Sequence, residues 1–237
     1  MLPKLYVGVL SWNRCKLLEE TILSFYSVNK MFFDKGMVNV TVLDQGSKDD
    51  SMKYLYHFKE QGLIHEIVMR PKNYGVGGGS SILMYYIFGK INEAKSTFKV
   101  EPFILYLQND FPSKYGGWLH RCAKFLNLRK DVGFIRMSDK KFSETNVITN
   151  EQYNWVEDLQ IYGSRFKLCN NMHLTLHPIM MRLWVAEYIF PFKNEREAQE
   201  KFYKLNLRGA QIIPPAFKDT KNYNKQHQSQ HGEKWKM

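Results

Sequence analysis

Short apolar blocks alternate with longer amphipathic ones along the first part of the chain, and polar punctuation separates them. Leu5 to Leu10 (LYVGVL) is a short apolar run that stops at Ser11-Trp12-Asn13-Arg14. From Lys16 to Ser27 the apolar residues fall at Leu17, Leu18, Ile22, Phe25 and Tyr26, the spacing of one helix face, with Glu19 and Glu20 in the early turns. Val38 to Leu43 (VNVTVL) is rich in β-branched residues and predicts a strand, which turns at Asp44-Gln45-Gly46-Ser47. Asp49-Asp50-Ser51 opens a helix to about Lys59, its acids set against the N-terminal dipole, and Gly62 ends it. Ile64 to Met69 predicts a third strand, Arg70 to Gly79 a loop, and Ser80 to about Ala94 a helix. Phe103 to Leu107 predicts a fourth strand, Trp118 to Leu128 a helix, and Val132 to Met137 a fifth strand.

Each strand is followed by a segment long enough for a crossover helix. The pattern therefore predicts an α/β, Rossmann-like fold with a mainly parallel, doubly wound central sheet flanked by helices. After residue 138 the pattern is less regular. It holds a polar stretch, an aromatic segment and one helix expected from Asn194 to Leu205. The reading is one domain in two halves, 1–140 and 141–217, with a basic polar tail at 218–237.

Composition narrows this picture. A chain of 237 residues suits one domain, and 44% hydrophobic with 24% charged residues is globular. The 15% aromatic share is high, so some rings are expected to line grooves as well as the core. Cys15, Cys122 and Cys169 have no metal-site spacing and suggest free thiols in a reducing compartment. Met1-Leu2-Pro3-Lys4 runs straight into an apolar strand and does not read as a signal peptide. No run approaches the ~20 apolar residues of a membrane helix. The expectation is a cytoplasmic protein without integral membrane contact. The formal net charge of +11 favours an anionic partner: nucleic acid, a phosphorylated substrate or a lipid surface. Met181 to Met237 carries eleven basic against six acidic residues, which places a positive wall in the last third.

In open parallel sheets, ligands bind beyond the carboxyl ends of the strands. Polar clusters stand at four such ends here: Ser11-Trp12-Asn13-Arg14, Asp44-Gln45-Gly46-Ser47, Asn73-Tyr74-Gly75-Val76-Gly77-Gly78-Gly79, and Gln108-Asn109-Asp110. Trp12 could stack on a nucleobase or fill the core. Asp44 could accept hydrogen bonds from a ribose or base, or cap a turn. Gln45 offers both donor and acceptor to a pyrimidine edge. The glycines before a helix would let backbone N–H groups approach phosphate, or would simply form a flexible loop. They match neither a Walker loop nor the dinucleotide fingerprint. Asp110 is the best metal ligand, since a hard cation prefers carboxylate oxygen. His173 and His177 have the i,i+4 spacing of a zinc pair, but Pro178 and the alternation Leu174-Thr175-Leu176 argue for extended chain. Phe111, Tyr153, Trp155 and Tyr162 could line an acceptor groove or pack in the core.

With these motifs in order, VGVLSWNRCKLLEETILSFYS, VTVLDQGSKDD, NYGVGGGSS and ILYLQND, the chain resembles the family 2 glycosyltransferases of the GT-A fold over roughly residues 4–140. The resemblance implies a nucleotide-sugar-binding half at 1–140 and an acceptor-side half at 141–217. It implies donor contacts by Ser11, Trp12, Asn13, Arg14, Asp44, Gln45, Asn73, Gly75, Gln108 and Asn109. It further implies Mn²⁺ or Mg²⁺ at Asp110, where the family's D-x-D here reads Gln108-Asn109-Asp110, with a late His, His231, as a second ligand near the diphosphate. The family's carboxylate base lies downstream at a helix start. Glu195 and Glu197 match that placement, and they fit equally well as ordinary first-turn acids that complement the dipole. Glu157-Asp158 is a second candidate pair. The implied function is inverting transfer of a hexose from a UDP- or dTDP-type sugar to a hydroxyl on a glycan or on a polyanion such as modified DNA. A non-catalytic, basic nucleic-acid-binding module and a nucleotidyltransferase are the alternatives.

Overall fold

The computed structural model describes residues 3–138, 151–161 and 163–218. Nine strands form one sheet between two layers of helices. In chain order the first elements are β1 (Leu5–Ser11), α1 (Cys15–Asp34), β2 (Val38–Asp44), α2 (Ser51–Glu60), β3 (Glu66–Met69), α3 (Gly75–Ala94) and β4 (Phe103–Gln108). They are followed by α4 (Trp118–Leu128), β5 (Val132–Arg136), β6 (Trp155–Ile161), β7 (Ser164–Cys169), β8 (Ile179–Arg182), α5 (Leu183–Ile189), α6 (Glu195–Lys204) and β9 (Arg208–Ile213). The spatial order is β3-β2-β1-β4-β8-β5-β9-β7-β6.

The front half follows the sequence pattern. β1 is buried along its whole length, as a strand covered on both faces must be, and so reads as a continuous apolar run. Its alternate side chains feed two cores. Val7 and Val9 join the layer of α1, α2 and α4, while Tyr6 and Leu10 join that of α3, α5 and α6. Gly8 lets α3 approach closely, because a Cβ there would meet Ile87 Cδ1 at 2.8 Å. Asp49 holds the starts of two helices, accepting from Cys15 N at 2.9 Å and Ser51 N at 3.0 Å.

The back half departs from a purely parallel sheet. β8 lies between β4 and β5 and runs antiparallel to both. The β6–β7 hairpin extends the sheet beyond β9, with β7 antiparallel to β9. The sheet is still mainly parallel by direction, since only β7 and β8 oppose the rest. A second difference concerns α3, which begins at Gly75 rather than Ser80. The expected glycine loop is thus the first turns of a helix. Among the described residues no helix is long and apolar enough to cross a membrane.

The basic C-terminal third is less open than its composition suggests. Arg182 is buried and donates to the carbonyls of Leu126 and Arg129 at the end of α4 and of Val132 at the start of β5. Arg208 pairs with Asp131 and Glu157, and Lys201 with Glu197. Three of the eleven basic residues of the expected positive wall are therefore engaged within the fold. Lys193, Arg196, Lys204 and Lys218 are also described, while Lys221, Lys225, Lys234, Lys236, His231 and Tyr162 lie outside the described residues.

Candidate functional site at the strand ends

Parallel register brings the predicted motifs to one edge. Ser11 pairs with Asp44, Leu10 with Gln108, and Asp44 with Met69. The residues that follow these positions meet beyond the carboxyl ends of the strands, where such sheets bind ligands in a crevice.

Asn13 ties the loops of this edge together. Its N–H donates to Ser47 Oγ at 2.7 Å, and its Oδ1 accepts from Lys48 N at 2.8 Å. Its carbonyl accepts from Asn109 Nδ2 at 2.7 Å. Asn13 and Arg14 both take left-handed backbone angles, with φ of 54° and 62°. Trp12, just before them, is half-buried rather than a core tryptophan. Arg14 Nη1 reaches Asp110 Oδ2 at 3.0 Å.

Asp44 is 2% exposed and accepts from Ser47 N at 2.8 Å and from Ser47 Oγ, so it acts here as a turn residue. Gln45 is also buried. Its Oε1 accepts from Tyr74 N at 2.9 Å and lies 2.6 Å from where a Cβ on Gly79 would stand. Gly79 is therefore glycine to make room for Gln45. Gly77 is glycine because a Cβ there would meet Lys193 O at 2.3 Å. These two glycines have packing reasons beyond any phosphate contact. Gly75 differs: it has a φ of +71° and open space around it, and its N–H donates to Asn73 Oδ1 at 2.7 Å.

The close approach at Gly77 brings the start of α3 against the segment that leads into α6. Glu195 opens α6, and its Oε1 accepts from Leu176 N at 2.9 Å. Gln108 Nε2 donates to Leu176 O at 2.7 Å, so the Leu176 backbone links the end of β4 to Glu195. Glu197 has a different place. It accepts from Lys193 N at 2.9 Å, while Asn194 caps Glu197 N at 3.0 Å, the reciprocal bonding of a capped helix start. That backbone bond, with Lys201 nearby, holds the Glu197 carboxyl below its ordinary range. Burial raises the Tyr106 hydroxyl well above its usual value, and it bonds Ser80 Oγ at 2.9 Å beneath the crevice.

Of the expected residues, the structure gathers Ser11, Trp12, Asn13, Arg14, Asp44, Gln45, Asn73, Gly75, Gln108, Asn109, Asp110 and Glu195 along this edge. Glu197 stands in the capping bonds of α6, and Glu157 and Asp158 lie on the β6–β7 hairpin, paired with Arg129 and Arg165. His173 and His177 lie in irregular chain between β7 and β8, outside any helix. His177 packs on Phe111, next to Asp110, with ring centroids 5.3 Å apart. The sequence reading did not place His177 or Leu176 at this edge. Leu176 acts through its backbone, which no side-chain motif records.

The described donor set does not fit a resident divalent cation. Among the described residues no three His, Cys, Asp or Glu side chains group to hold a metal. Asp110 is the single carboxylate of the degenerate motif, and a guanidinium already bonds it.

No family model and no curated protein matches this chain. Solved structures do. A mannosyltransferase from Pyrobaculum calidifontis, PcManGT, in complex with GDP-Man and Mn²⁺, superposes with a TM-score of 0.58 at 16% identity over 91% of this chain and 55% of its own. S. aureus TarS 1–349 gives 0.61 at 16% identity, over 94% and 62% of the two chains. GalNAc-T7, with UDP, GalNAc and Mn²⁺, gives 0.60 at 9% identity, over 92% and 43%. This chain thus spans less than two thirds of the length of each. Together with the mainly parallel sheet between helices, these superpositions show that the chain has the GT-A fold.

Proposed function

We propose that this chain is a glycosyltransferase that moves a sugar from a nucleoside diphosphate sugar, of the UDP or dTDP type, to an acceptor hydroxyl with inversion. One observation carries the reading. The crevice at the parallel strand ends joins a guanidinium, the glycine-led start of a helix and a carboxylate tied to β4 through Leu176. The superposed proteins support it, since PcManGT was solved with GDP-Man and TarS with UDP-GlcNAc.

Each part has a chemical task. Trp12 offers a half-exposed ring for the base, and Asp44, fixed by Ser47, retains lone pairs for a ribose. The first N–H groups of α3 and its dipole favour the diphosphate. Glu195 Oε1 is held by Leu176 N, and Oε2 takes no hydrogen bond among the described residues. Oε2 is the base that accepts the acceptor proton as the hydroxyl oxygen attacks C1. The acceptor is a hydroxyl on a glycan or a nucleic acid. A nucleic acid would show a steep loss of acceptor binding with salt, and a glycan a flat one.

The test is a thermal-shift panel of UDP-, dTDP- and GDP-sugars. A ligand at ~100 times its dissociation constant stabilises a fold by about 2.7 kcal/mol, a readily measured shift. One sugar nucleotide is expected to raise the melting temperature, and Asp44→Ala to reduce that rise. A flat panel overturns the proposal.

A further inference from the structure

We propose that Arg14, anchored on Asp110, is the cation that binds and neutralises the leaving diphosphate, so that the donor is held without a divalent metal. This rests on the glycosyltransferase reading above.

Two adjacent residues, Asn13 and Arg14, adopt left-handed angles without being glycine. Such angles are costly for most residues other than glycine, arginine included, and persist where the surroundings enforce them. Here they are enforced by the bonds that Asn13 makes to Ser47, Lys48 and Asn109, each in the loop after a neighbouring strand. The result of that strained turn is the position of one side chain. Arg14 Nη1 stands 3.0 Å from Asp110 Oδ2, at the place where the D-x-D carboxylate would face a metal ion.

The pair is asymmetric. The Asp110 side chain is 12% exposed and that of Arg14 is 35% exposed. The acid is the more buried partner and serves as the anchor, while the guanidinium is the more exposed one. Only one of its N–H groups bonds a described residue. The others form the planar fork that matches two phosphate oxygens. A divalent ion at Asp110 would have to displace this guanidinium and would gain a single carboxylate. During transfer the bond from C1 to the phosphate oxygen breaks, and its electron pair goes to that oxygen. Arg14 stands ready to meet that negative charge, and a fixed charge in a partly buried site needs no reorganisation to do so. The acceptor proton goes to Glu195.

The experiment titrates UDP, dTDP and GDP into the full chain by calorimetry, in EDTA and then in Mn²⁺. One diphosphate is expected to bind in EDTA, with Mn²⁺ tightening it by less than about fivefold. Arg14→Gln should weaken that diphosphate in EDTA by about fivefold or more, while the matching monophosphate changes by less than that. Asp110→Asn should weaken the diphosphate but leave it tighter than the matching monophosphate, because the guanidinium loses its anchor and keeps its charge. Tightening by Mn²⁺ of about fivefold or more overturns the proposal but leaves the glycosyltransferase reading standing. So does an Arg14→Gln variant that binds like wild type. Binding of no diphosphate in either buffer overturns both. If Arg14→Gln does not fold by circular dichroism, Arg14→Lys in EDTA and the Asp110→Asn arm decide the matter. The lysine variant is expected to bind between wild type and the level of the monophosphate, and wild-type affinity in it overturns the role of the fork.

Discussion

The two halves of this sheet use their polar residues for opposite purposes. In the front half, β1, β2 and β4 run parallel and end together, and the residues after them bond to one another through side chains and backbone: Asn13 to Ser47 and Asn109, Asp44 to Ser47, Arg14 to Asp110. These bonds shape a crevice and leave groups facing it. In the back half the opposed strands β8 and β7 flank the parallel pair β5 and β9, so the four do not end at one edge. There the charges close on themselves. Arg129 and Arg208 share Asp131 and Glu157 across α4, β6 and β9. The comparison teaches that parallel strands collect polar ends at one place, whereas antiparallel insertion distributes them into structural pairs. Glu195 is the exception, a back-half carboxylate brought to the front-half crevice through Leu176.

That exception gives the largest expected effect. Glu195→Gln keeps an oxygen for Leu176 N but cannot take a proton, so transfer should fall by about 10²–10⁴-fold with donor affinity unchanged. Glu197→Gln should leave the transfer rate near wild type, because Glu197 faces Lys193 N and Lys201. Single-turnover assays beside donor titrations check both. Equal loss in the two variants would erase the distinction between catalytic and capping acid.

The seam between the halves comes next in size. Gly77→Ala drives a Cβ into Lys193 O, and should cost about 1–3 kcal/mol in denaturant unfolding while moving the start of α3 away from α6. Gly75→Ala meets no atoms and should cost about 1 kcal/mol, from its left-handed angle alone. If both cost the same, close packing is not what holds the crevice shut on that side.

The smallest effect concerns acid. Hydrogen bonds from Arg129 hold the Asp131 and Glu157 carboxyls below their ordinary values of 3.8 and 4.5. Groups with lowered folded values stabilise the fold above their unfolded values and lose that contribution as pH falls through the folded ones. Stability should therefore fade below about pH 4.5, and Glu157→Gln should flatten the fading. Hydrogen exchange at β6 and β9 reports whether the back half opens first.

Most of the front half was legible from spacing. The expected strand at Leu5–Leu10 is β1, Val38–Leu43 lies within β2, and Trp118–Leu128 is α4 to the residue. The back half was not. β8 is four residues, all buried, too short for any period to show. In β6 the inward row of Trp155, Leu159 and Ile161 is interrupted by Glu157, which reads as a surface residue until Arg129 and Arg208 are seen around it. The start of α3 was misjudged because glycines lower helix propensity. Their presence is decided by Gln45 and Lys193, which are distant in sequence.

The sequence by itself therefore determined the parallel α/β half, its order of strands and helices, and the edge on which polar motifs gather. Those follow from local periodicity and from the rule that parallel strands end together. Only the tertiary structure decided that Asp110 meets Arg14, that Gln45 holds the Tyr74 backbone, and that Glu195 is tied to the end of β4 through Leu176. Each of those outcomes depends on contacts between residues far apart in the chain. The last is carried by the Leu176 backbone and the Gly77 close approach, which leave no mark in residue spacing.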